Sequence, residues 1–93
     1  MSEVQTRTVL VVDDDPIMKL AIAESLEGLG DAYLIEAASS CDEALAKVRK
    51  ANYSLVIVNC DMRGRRGLKM AQATHRLAPG TPVVLMAARE TAE

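Results

Sequence analysis

Four short apolar runs punctuate this chain, with longer stretches of mixed polarity between them. They are Val9 to Val12, Tyr33 to Ala38, Leu55 to Val58 and Val83 to Ala87. Short runs rich in β-branched residues and bounded by turn or charged residues predict buried strands. Tyr33 to Ala38, interrupted by Glu36, is the weakest pattern. The intervening stretches have helical periodicity. Met18, Ile22, Leu26 and Leu29 recur at spacings of 4, 4 and 3, which makes one apolar helix face. Asp15 suits the N-cap of that helix, Pro16 its first position and Gly30 its end. Ser40-Cys41-Asp42-Glu43 reads as a capping box in which Glu43 reaches back to the cap; Ala44, Leu45, Val48 and Ala51 continue the apolar face. A third helix is expected over Gly64 to Leu77, after a basic turn, and Ala78-Pro79-Gly80-Thr81-Pro82 ends it. The order β-α-β-α-β-α-β predicts an α/β fold: an open, doubly wound parallel sheet with helices on both faces.

Composition narrows the picture. With 93 residues the chain fits one small domain, residues 1–93. The hydrophobic fraction is 49% while aromatics are 2%, with no Trp and no Phe, so Val, Leu, Ile, Met and Ala must build the core, as suits a parallel sheet covered by helices. A formal net charge of −2 argues against general nucleic-acid binding, which uses a basic face. Met1 to Arg7 is polar and unlike a signal peptide, and no apolar run approaches a membrane span. Cys41 and Cys60 have no metal-ligand spacing. The expected setting is the cytoplasm.

The candidate chemistry gathers at two strand ends. The first strand delivers Asp13-Asp14-Asp15, and the third delivers Asn59-Cys60-Asp61. Arg63, Arg65 and Arg66 form a basic turn beside them. Three readings of that turn stay open: a solvated loop, an Arg whose fork reaches Asp13 or Asp14 in place of a cation, or an anion site for a partner's phosphate. His75 lies on the third helix with no second ligand at metal spacing and is expected at the surface.

Taken together, Val9-Leu10-Val11-Val12-Asp13-Asp14-Asp15-Pro16, Asp42-Glu43-Ala44-Leu45, Leu55 to Val58, the placement of Met62 and Gly67, and Thr81-Pro82 leading to Met86 resemble the receiver domain of bacterial response regulators. The resemblance covers nearly the whole chain. It implies a flavodoxin-like three-layer sandwich with strand order 2-1-3-4, an acid pair (Asp13, Asp14) that holds Mg²⁺, a phosphoacceptor at the end of the third strand, and a Thr or Ser at the end of the fourth. Met62 lies three residues after Asn59 and Gly67 eight after it, which assigns Asn59, not Asp61, to the acceptor position. An amide lacks the carboxylate oxygen that would form an acyl phosphate. Ala87 stands at the switch position, without a hydroxyl. The family's fifth strand, with its Lys, has no counterpart before Glu93.

These departures lead to the expectation of a receiver-like module that acts by protein–protein interaction without phosphorylation. It requires no cofactor, binds Mg²⁺ at most weakly at Asp13 and Asp14, and has a histidine kinase, another receiver or an output protein as partner. A homodimer is expected through the fourth-strand edge or an uncovered sheet face, with no nucleic-acid or membrane partner. Two rivals remain: an active receiver with Asp61 or another carboxylate as acceptor, and a shortened fragment without a role of its own.

Overall fold

In the computed structural model, residues 7–27, 33–59 and 67–86 are described. The elements alternate as expected: β1 (Arg7–Val12), α1 (Pro16–Glu27), β2 (Tyr33–Ala38), α2 (Cys41–Lys50), β3 (Leu55–Asn59), α3 (Gly67–Leu77) and β4 (Val83–Met86). All strand pairs are parallel and the order is β2-β1-β3-β4. Sequential strands thus lie beside one another except at β3, which crosses back over β1. The chain is an α/β doubly wound sandwich of the flavodoxin type. The α3 helix is described from Gly67; Gly64 to Arg66, the expected end of α1 at Gly30, and Ala87 of the fourth run lie outside the described residues.

The central strand is the most deeply buried. Val9, Leu10, Val11 and Val12 are each at most 1% exposed, because β1 is covered on both faces and flanked on both edges. Leu10 and Val12 join Val56, Val58, Ala44, Val48 and Met70 in one cluster, which is the α2–α3 side of the sheet. Strand side chains alternate between faces, so Val9 and Val11 serve the other side, where α1 packs against β2. That second layer is thinner. Met18, Ile22 and Leu26, the expected core face of α1, are only half-buried, while Ile17 and Leu20 lie open to solvent. On β4, Val84 and Leu85 point to opposite faces and are 46% and 43% exposed.

Local signals act as their chemistry requires, with two corrections. Asp15 Oδ1 accepts from the Ile17 N–H at 3.0 Å, the cap expected ahead of Pro16. Ser40 caps α2, its Oγ accepting from the Glu43 N–H at 3.1 Å. The return arm of the capping box lands one residue early, however. Glu43 Oε1 accepts from the N–H of Ser39 at 2.9 Å and from its hydroxyl at 3.1 Å, rather than from Ser40. Those donations, the backbone one first, hold the Glu43 carboxyl below the usual carboxylate range. Ala51, expected on the apolar face, is instead the exposed C-cap, donating its N–H to Lys47 O at 3.0 Å.

A network not expected from the pattern ties the sheet edge to α2. The buried Tyr53 donates its hydroxyl to Glu36 Oε1 at 2.7 Å, and Lys47 Nζ lies 3.8 Å from the same oxygen. Burial, and then the Glu36 carboxylate, pushes the Tyr53 phenol from 10.0 up to about 12. A raised folded-state pKa gives stability that is intact below the unfolded value and is lost as pH rises through the folded one. The tyrosine contribution is therefore expected to be complete below pH 10.0 and to disappear on approach to about 12. Tyr53→Phe should cost about 1 kcal/mol at neutral pH. Its urea midpoint should converge on the wild-type midpoint across that alkaline window. A gap that stays constant would show that the hydroxyl is not the titrating group.

Candidate functional site

Parallel register builds the site. Val12 pairs with Val58 across β1 and β3, so the residues that leave the two strands next are Asp13 and Asn59. Both are 7% exposed. Asp13 is held at three points. Its N–H donates to Ala38 O at 3.0 Å, continuing the pairing with β2. Its Oδ1 accepts from the Asp15 N–H at 2.9 Å, an Asx-type turn that swings the chain into α1. Its Oδ2 accepts from Asn59 Nδ2 at 3.0 Å. A carboxylate only accepts, so the amide must present its nitrogen here.

The structure thus brings together Asp13, the adjacent Asp14 and Asn59. Asp14 is exposed at the rim. Asp61, Arg63, Arg65, Arg66 and Ala87 lie outside the described residues. A cavity of about 310 Å³ opens on the β2 side of Asp13, lined among others by Asp14, Asp15, Lys19, Ser39 and Glu43. Its described lining is strongly acidic, with Lys19 the one cation among the described residues there. Sequence reasoning missed Lys19, Ser39 and the direct Asn59–Asp13 bond. Lys19 was available as the i+4 neighbour of Asp15 on a helix; the other two depend on tertiary placement.

The ion that the acid pair suggests is Mg²⁺. Mg²⁺ takes one or two carboxylates and completes its octahedron with water and other oxygens. Asp13 and Asp14 are of the right chemical type. Yet both Asp13 oxygens already accept hydrogen bonds, and Asn59 turns an N–H toward the carboxylate. No group of three His, Cys, Asp or Glu side chains among the described residues is arranged to hold a metal. As it stands, this geometry does not fit a resident Mg²⁺.

Comparison with known proteins places these features in context. The family model for the response regulator receiver domain matches residues 9–93. The transcriptional regulatory protein ResD of Bacillus subtilis is 30% identical over 89 residues, covering 96% of this chain and 36% of that protein. The chain thus spans just over a third of that regulator's length. Among solved structures, the response regulator TrrA of Thermotoga maritima in complex with Mg²⁺ and BeF superposes with a TM-score of 0.78 at 33% identity, covering 90% of this chain and 71% of that one. A chain in the complex of the histidine kinase ThkA with TrrA matches with a TM-score of 0.77 at 33% identity, covering 91% of this chain and 72% of that one.

Proposed function

This chain belongs to the response-regulator receiver family, and from that membership and its acceptor-site geometry we propose that it serves two-component signalling as an interaction module independent of its own phosphorylation. The observation that carries the reading is the Asn59–Asp13 bond. The residue at the acceptor position is an amide, and it is committed to the acid that would otherwise face a metal. No reaction is assigned to the domain itself. Mg²⁺ binds weakly, because it must first displace Asn59 from Asp13.

The partner is a protein. TrrA, at 33% identity, is found in complex with a histidine kinase, and a kinase, another receiver or an output protein suits this surface by the same kind of docking. A second copy of the chain is a further partner. It would meet the β4 edge or the adjoining sheet face, where Val84 and Leu85 are open on both sides. A strand edge that is unpaired among the described residues and presents apolar side chains readily adds another strand.

The test is light scattering at high micromolar concentration, with and without acetyl phosphate and Mg²⁺. A dimer is expected in both, weakened by Val84→Lys. Assembly that appears only with acetyl phosphate would overturn the phosphorylation-independent reading. A monomer under both conditions would refute self-association.

A further inference from the structure

The pairing of Asp13 with Asn59 has a consequence for the metal itself. Asp13 is a buried carboxylate at the point where three strand ends converge. A buried charge is costly unless it is paired and hydrogen-bonded. Of its two side-chain acceptor oxygens, one is satisfied within its own turn, by the Asp15 N–H. The other is satisfied from a different strand, by Asn59 Nδ2 at 3.0 Å. The amide is therefore a side-chain link between the carboxyl ends of β1 and β3.

We propose that Asn59 takes the place of a cation: its amide, donated to Asp13, ties the ends of β1 and β3 together, so that this fold needs no metal to close its acidic end. A carboxylate at the same position would be an acceptor-only group set 3.0 Å from another. Two such groups repel, and a cation or a shared proton is needed to hold them together. The amide removes one charge and supplies a donor to the other, in a charge-assisted bond stronger than a neutral one. This inference stands whether or not the domain is ever phosphorylated, since it concerns the resting pocket alone.

Thermal unfolding at pH 8, in EDTA or in excess MgCl₂ at matched ionic strength, tests it. The wild type is expected to melt at the same temperature in both, within about 2 °C, as fits a cation that binds weakly to the native state. Asn59→Asp is expected to melt about 4–8 °C lower in EDTA and to regain most of that loss with Mg²⁺. Asn59→Leu, branched alike at Cγ but bulkier and unable to donate, should fall in the same way and gain nothing from the metal. If Asn59→Asp does not fold in EDTA, the wild-type response and Asn59→Leu decide. An Asn59→Leu protein as stable as the wild type would overturn the proposal. So would a wild-type protein that gains as much from Mg²⁺ as Asn59→Asp does, or an Asn59→Asp protein undiminished in EDTA.

Discussion

Acetyl phosphate with Mg²⁺ is expected to leave the intact mass of this chain unchanged. Acyl-phosphate formation needs a carboxylate oxygen as nucleophile, and the side chain beside Asp13 is Asn59. An amide nitrogen that donates to a buried carboxylate has neither the charge nor the free electron pair to attack phosphorus. The effect is close to all-or-none, larger than any loss from mispositioning alone. Asn59→Asp should gain slow labelling, because Asp13 and Asp14 remain in place to help hold the metal. It should gain labelling without a conformational response, since Ala87 offers no hydroxyl to follow the phosphoryl group. Intact-mass spectrometry before and after mild acid reads both results. A single acid-labile phosphate on the wild type, mapping to Asp61 or to any other carboxylate, would sink the proposed function and restore the active-receiver alternative.

The largest change in stability is expected from Leu10→Ala. Leu10 is fully buried in the central strand and belongs to the cluster that joins β1, β3, α2 and α3. Truncating a buried Leu costs about 2–5 kcal/mol, with the upper end reached where neighbours cannot collapse into the space. Here they cannot easily do so, because β1 is fixed by pairing on both edges. Small domains have total stabilities near the low end of roughly 5–15 kcal/mol, so the variant should be largely unfolded or have a greatly reduced urea midpoint. Val84→Ala, at a site 46% exposed in the single chain, serves as the contrast and should cost less than about 1 kcal/mol when measured at dilution where the proposed dimer has dissociated. Equal losses at the two positions at higher concentration would mean that β4 is buried in solution by a partner copy.

The architecture was legible in the sequence because strands and helices here use different periods and clear punctuation. Asp15-Pro16 starts α1 and Ser40 starts α2, each through a hydrogen bond that the residue type alone makes natural. The resemblance to receivers supplied what periodicity cannot, namely that β3 lies beside β1 and not beside β2. With that order known, Asp13 and Asn59 had to be neighbours. What could not be read was how they meet. One open reading has an Arg of the basic turn standing in for the cation, and Arg63, Arg65 and Arg66 lie outside the described residues. The amide donates to a residue 46 positions away in the chain. The Tyr53–Glu36 bond was missed for the same reason, since it joins residues 17 apart across the sheet edge. Glu43 bonds one residue earlier than the capping box implies, taking both the N–H and the hydroxyl of Ser39.

The register that places Val12 opposite Val58 also makes the site and the core depend on one and the same alignment. Strand side chains repeat with a period of two, so a slip of one residue between β1 and β3 would turn Val56 and Val58 away from the α2–α3 layer. The same slip would carry Asn59 past Asp13 and leave a buried carboxylate facing a valine or the next residue along. The apolar and polar penalties thus arise together and for the same displacement. The amide–carboxylate pair is thus a readout of register: it can close at 3.0 Å only when the central strands are aligned.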